Sequence, residues 1–175
     1  AEKEISDFAS KHNIPVTATV MGIGCMNKDD PYYISAIGCL GEGSSNNLAT
    51  DTDLALAVGT KLGDFTTGSW TNFENENFQL ISINTSRFDT TKHRATPVVS
   101  DAKVGLLELS KELGEWKAPN NWYNRAIEER NKWDSYVKKE SGPTNQELPS
   151  YAHAVGAVYR NADASDIVVT AAGGL

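Results

Sequence analysis

Three short runs hold the side chains of this chain best suited to chemistry. Gly41-Glu42-Gly43-Ser44-Ser45 places flexible backbone just before a helix start, where free amides and the positive end of the helix dipole attract anions. Ser44 and Ser45 are equally able to N-cap a helix running through Asn47, Leu48 and Ala49, and Glu42 opposes an anion. Plain opening of a helix and a bound nucleotide or other anion are therefore both consistent with the loop. Asp64-Phe65-Thr66-Thr67-Gly68-Ser69-Trp70 is a hydroxyl-rich loop bearing two aromatic rings. It reads either as a binding loop at the end of a strand or as a turn whose hydroxyls satisfy local amides. Asp89-Thr90-Thr91-Lys92-His93 fits a solvated turn better than a substrate contact. His12, His93 and His153 lack metal-ligand spacing with a cysteine or carboxylate and read as surface or locally hydrogen-bonded groups. Cys25 and Cys39 lack a CxxC spacing and read as small buried thiols. Gly22-Ile23-Gly24 is missing the third glycine of a dinucleotide fingerprint and is explained by a turn.

The elements that must position these runs follow a helix-then-strand order. The first ten residues form an amphipathic helix with Ile5 and Phe8 inward, ended by His12-Asn13. A strand from Ile14 to Val20 is entered through Pro15. Leu54 to Val58 is an uninterrupted apolar run closed by Gly59, the pattern of a strand covered on both faces of a parallel sheet. Phe78 to Ile83 and Pro97-Val98-Val99 are further strands. Asp101 caps a helix to Leu113 with a broad apolar face made by Val104, Leu106, Leu107, Leu109 and Leu113. Trp116 to Glu140 alternates aromatic residues with dense charge, a solvated helix resting on Trp122, Ile127, Trp133 and Val137. Ser141-Gly142-Pro143 breaks it, and a helix from Tyr151 to Arg160 and a strand from Ile167 to Thr170 follow. Since βα logic expects a strand before each helix, the first strand is expected to be missing and the start truncated.

At 175 residues with a net charge of −7, the chain accommodates one good domain with pieces of another. The scattered acidic surplus excludes the clustered Lys and Arg of a nucleic-acid footprint, and no apolar run approaches the roughly 20 residues of a membrane span. Two unframed cysteines and no signal-peptide pattern predict a cytoplasmic location.

The pattern IPV, a glycine loop, then AIGCLGEGSSNNLATDTDLALAVGTKLGDFTTGSW resembles the central domain of thiamine-diphosphate-dependent enzymes of the acetolactate synthase type, with Gly38, Gly41, Asn47, Ala49, Asp53 and Gly59 as the shared marks. DFTTGSWTNF, FDTTKH and PTNQELPSYAHAVGAVYRNADASDIVVTAAGGL are similar to one branch, the ring-opening trihydroxycyclohexane-1,2-dione hydrolases of myo-inositol breakdown. The resemblance implies an α/β fold with a Rossmann-like parallel sheet flanked by helices. Residues 1–116 are expected to form the central domain without its first strand, 117–147 a helical linker, and 148–175 the start of the diphosphate-binding domain. It implies thiamine diphosphate and Mg2+ as cofactors of the whole enzyme, a small cyclic dione as substrate, carbon-carbon cleavage to 5-deoxyglucuronate, and a homo-oligomer. The activating glutamate and the magnesium ligands of the family fall outside these residues, so the chain alone is expected to be inactive, with no catalytic or metal-binding residue of its own. Ala172, Gly173 and Gly174 match a region that lines the cofactor. Lys61 stands where acetolactate synthases place an arginine for FAD, which makes flavin unlikely here; a synthase or other thiamine-dependent decarboxylase is the alternative reading.

Overall fold

A computed structural model describes residues 1–163 and 165–169. The chain divides into two compact units, Ala1–Arg130 and Asn131–Leu175, with the division inside one long helix.

In the first unit, α1 (Glu2–His12) ends on Asn13, which adopts the left-handed conformation of a helix C-cap (φ 57°). β1 (Val16–Ala18) is shorter than the expected Ile14 to Val20, because Pro15 cannot donate to a ladder and Val20–Gly22 tightens into a 3₁₀ turn. β2 (Tyr33–Ala36) pairs parallel to β1. α2 (Gly43–Asp51) leads to β3 (Leu54–Val58), which pairs parallel with β4 (Gln79–Asn84), itself parallel to β5 (Thr96–Val99). Short helices α3 (Asp64–Thr67) and α4 (Arg87–Thr90) fill the two connections. The α/β class with parallel strands and flanking helices is as expected, but the strands form two sheets, β1-β2 and β3-β4-β5.

β3 also departs from the reading of a strand covered on both faces. Only Ala57 is buried, and Leu54 is 49% exposed. Its apolar run belongs to a strand hydrogen-bonded on one side only, to β4.

α5 (Ala102–Leu113) is capped as its sequence predicts, the Asp101 carboxylate accepting the Lys103 and Val104 amides at 2.9 and 3.2 Å. Gly105 brings it onto β4: a Cβ there would lie 2.7 Å from Cγ2 of Ile83, a side chain only 1% exposed. α1 packs against α5. His12, fully buried, ties the two helices together, with Nδ1 2.7 Å from the Trp116 carbonyl oxygen and Nε2 2.9 Å from the Ser110 hydroxyl.

α6 (Asn120–Glu140) begins four residues later than the Trp116 boundary, after the Pro119 that opens its first turn. Its first half is part of the first unit. Ala126 is buried with Ile34 and Leu48, and Trp122 and Ile127 pack around them. Arg130 donates to the carbonyls of Asp30 and Tyr33 at 3.0 and 2.9 Å. Of the four residues expected to seat this helix, Trp122 and Ile127 do so in that cluster, whereas Val137 is 42% exposed.

The second unit contains the end of α6 and α7 (Tyr151–Asn161), whose Ser150 cap and His153 form a reciprocal capping box. Gly156 lets α7 approach the Ser141 carbonyl, which also accepts from Arg160. Ile167 to Val169 is not a strand, and Thr170 lies outside the described residues. No described helix is long and apolar enough to cross a membrane.

Candidate functional site

The glycine loop is built around an asparagine. Asn46, in the first turns of α2, accepts the Gly38 amide at 2.9 Å and donates to the Gly38 carbonyl at 3.0 Å. Gly38 has φ 114°, and a Cβ there would stand 2.3 Å from the Phe65 carbonyl oxygen. Only glycine fits this close approach. The Cys39 amide donates to that same oxygen at 2.7 Å.

Ser44 and Ser45 do not cap α2, contrary to their reading as caps. The cap position is Glu42, without a side-chain bond to the helix. Both serines are instead fully buried within the first turn, their hydroxyls 2.8 and 2.6 Å from the Ser35 hydroxyl of β2. One helical turn places them inward, where each hydroxyl needs a partner, and β2 supplies it. The Gly38, Gly41 and Glu42 amides are taken by Asn46, Gly38 and Ala36 and the serine hydroxyls by Ser35, and the residue at the cap position, beside the opening amides of α2, is the carboxylate-bearing Glu42. Among the described residues, no group of three or more metal-ligating side chains converges. These residues do not fit a thiamine diphosphate site.

The hydroxyl-rich run is a helical turn, α3, in place of the expected loop. Thr67, fully buried, donates to the Gly63 carbonyl and accepts the Trp70 amide, which is local satisfaction of the kind the sequence offered as one reading. Asn72 then closes the link to the glycine loop, its amide donating to Asn46 at 3.2 Å. Asn46 and Asn72 were invisible as site residues because each is one polar residue among several beside a motif. Their signal was position alone: an amide side chain close to each end of the joined loops.

The structure also brings the second and third runs together. The Trp70 and His93 rings lie 4.3 Å apart between centroids. They border an open cavity of about 510 Å³, with Phe78, Leu80 and Arg94. Ser69, Trp70, His93 and Arg94 all have left-handed backbone, φ 54 to 70°, a conformation costing about 1 kcal/mol or more each outside glycine. In the third run, α4 is capped by Ser86, which accepts the Asp89 amide at 3.3 Å. Lys92 bonds to the Asp89 carboxylate at 2.8 Å and lies over the Phe88 ring. Lys92 foremost, with Ser86, holds the Asp89 carboxyl below its ordinary range.

The thiols divide. Cys25 is partly buried, and burial pushes its thiol up, away from thiolate chemistry. Cys39 is exposed, which corrects its reading as buried: it sits on the turn leaving β2, beyond the core. His93 is exposed, His153 is half-buried in its capping box with Ser150, and His12 is hydrogen-bonded through both nitrogens. Ala172, Gly173 and Gly174 lie outside the described residues.

Residues 1–109 match the family described as "Thiamine pyrophosphate enzyme, central domain". A protein of Bacillus anthracis named 3D-(3,5/4)-trihydroxycyclohexane-1,2-dione hydrolase is 29% identical over 170 residues, covering 89% of this chain and 26% of the relative. Proteins of the same name from Bacillus cereus and Clostridium perfringens are each 32% identical over 139 residues, 79% of this chain and 22% of theirs. The chain thus spans about a quarter of the length of these relatives.

Proposed function

The chain belongs to the thiamine pyrophosphate enzymes through their central domain, and on that premise we propose that it is the central portion of a longer hydrolase that opens the ring of a trihydroxycyclohexane-1,2-dione by carbon-carbon cleavage. One observation carries this reading: the similarity to proteins bearing that hydrolase name runs over 79 to 89% of the chain. The two runs similar to that branch, the α3 segment and the Phe88 to His93 segment, also meet in space through Trp70 and His93.

Within that enzyme the portion described here is a scaffold. Its Gly38 amide is held by Asn46, its serine hydroxyls by Ser35 and the Thr67 hydroxyl by Gly63, and among the described residues no three metal-ligating side chains converge. Thiamine diphosphate, held with Mg2+, supplies the electron sink for the cleavage; its binding groups belong to other domains. Residues 1–116, 117–147 and 148–175 are the central domain, the linker and the opening of the diphosphate-binding domain, and Ala172, Gly173 and Gly174 are small residues that let backbone approach the cofactor there. The whole enzyme is a cytoplasmic homo-oligomer without flavin.

The test is turnover of the cyclic dione with thiamine diphosphate and Mg2+ by the full-length gene product and, separately, by residues 1–175. The expected result is ring opening by the former and none by the latter. A full-length product that leaves the dione intact but decarboxylates a 2-keto acid would replace the proposal with the synthase reading.

A further inference from the structure

The cavity bordered by Trp70 and His93 lies at the amino ends of β4 and β5. Gln79 and Thr96, which line it, are the first residues of those two strands, and Phe78 and Leu80 flank Gln79. Open parallel sheets hold cofactors and substrates beyond the opposite, carboxyl ends of their strands. The cavity is therefore apart from the glycine loop, which follows the carboxyl end of β2.

Its lining divides by chemistry. One part is aromatic. Phe78 stacks on Phe73 at 4.7 Å between centroids, Phe73 lies 5.7 Å from Trp70, and Trp70 lies 4.3 Å from the His93 ring. Four rings thus hold one another in place, and the buried Leu80 adds an apolar side chain beside them. Such a lining favours a flat ring, which stacks with little loss of conformational freedom.

The other part is polar and uncommitted. Among the described residues, the side chains of Gln79, Arg94 and Thr96 make no hydrogen bond or ion pair, and neither ring nitrogen of His93 is hydrogen-bonded. On a chain with a net charge of −7, the Arg94 guanidinium keeps its fork of donors free beside the rings, and that fork matches a planar oxyanion bidentately. Lys92 is not a second cation for the cavity, because its ammonium is bonded to the Asp89 carboxylate at 2.8 Å. A single unpaired cation suits a single negative charge.

The backbone is bent to produce this arrangement. Ser69 with Trp70, and His93 with Arg94, are two consecutive left-handed pairs outside glycine, at φ 54, 70, 59 and 59°. Conformations of this kind cost energy and recur where geometry is put to use. One pair supplies Trp70 and the other His93 and Arg94 to the same cavity.

We propose that this cavity binds an aromatic or heteroaromatic carboxylate, its ring against Trp70, Phe78 and His93 and its carboxylate on the Arg94 fork, with Gln79 and Thr96 donating to the remaining polar atoms. The volume of about 510 Å³ is that of a small-molecule site. The site does not depend on the ring-opening chemistry.

Calorimetric titration of the full-length protein with indole-3-carboxylate tests it, with indole-3-carboxamide as the uncharged comparison. Thiamine diphosphate and Mg2+ are kept saturating in both, so that the catalytic site is filled. Saturable binding of the carboxylate is expected, with the carboxamide weaker by about tenfold or more, the loss of a charge-assisted pair. Arg94→Asn is expected to weaken the carboxylate by a similar factor and to keep the thermal midpoint, because asparagine tolerates left-handed backbone. Should the midpoint fall, the comparison of the two ligands on the unmodified protein still decides. No saturable heat with the carboxylate, equal binding of the carboxamide, or carboxylate binding unchanged in Arg94→Asn overturns the proposal.

Discussion

At the scale of single residues, the amide of Asn46 does what no neighbouring group could do, holding both backbone groups of Gly38 while accepting from Asn72. Replacing it with Ala leaves a part-buried donor and acceptor without partners, which costs about 1–3 kcal/mol. Asn46→Ala should therefore lower the unfolding free energy by that amount, read as a lower urea midpoint at an unchanged denaturant slope. Asn46→Asp keeps the acceptor and loses the donor, and should fall between the two. The Asp89 carboxylate behaves differently, because its contribution depends on pH. Its folded value is depressed by Lys92 and Ser86, so its stabilisation is complete above the ordinary carboxylate value of about 4 and disappears as pH falls through the lower folded value. The stability difference between the parent protein and Asp89→Asn should stay constant at neutral pH and shrink below about pH 4. A difference that grows on acidification would contradict the Lys92 pairing.

At the scale of elements, α5 and β4 meet at their smallest and most buried residues. Gly105→Ala gains up to about 1 kcal/mol of helix propensity, but the new methyl meets Ile83 Cγ2 at 2.7 Å, and overpacking costs about 1–3 kcal/mol. The clash wins, and the thermal midpoint should fall. Leu48→Ala empties the cluster shared by α2, β2 and α6, with an expected loss of about 2–5 kcal/mol in chemical unfolding. Much at this scale was legible in the chain itself. Asp101 announced α5, His12-Asn13 the end of α1, and the periodic apolar residues Trp122 and Ile127 the seat of α6. What was not legible depends on partners distant in sequence. Ser44 and Ser45 have the composition of caps, but Ser35 across the core claims their hydroxyls. The apolar run Leu54 to Val58 states that a strand wants burial without stating which neighbour provides it. The meeting of Trp70 with His93 joins residues 23 positions apart, each in left-handed backbone that no propensity favours. The glycine spacing of the first loop was visible, but the hold of Asn46 on Gly38 and the burial of both serine hydroxyls against Ser35 were not.

At the scale of the whole molecule, the chain spans about a quarter of the length of relatives named as hydrolases, and the proposed reading makes it the framework of a larger enzyme. The visible flavin band should be absent from the full-length protein as purified, and its heat-released supernatant should show no flavin fluorescence; a stoichiometric yellow cofactor would reopen the synthase reading. Within the second unit, the missing Cβ of Gly156 lets α7 sit on the Ser141 carbonyl. Gly156→Ala would place a methyl 2.0 Å from that oxygen, and proteolysis between Ser141 and Ser150 should accelerate in that variant.

The bare edge of β3 has one more consequence, for handling in the test tube. Leu54-Ala55-Leu56-Ala57-Val58 contains no charge and no proline, and a short, flat, apolar strand with open backbone groups is a template for like strands. Residues 1–175 expressed by themselves should lose solubility with rising concentration despite a net charge of −7, and light scattering should report it. A single lysine at Leu54, whose side chain is already half exposed, should delay that onset, because it places a repelling charge at the strand's end and leaves the β4 ladder untouched.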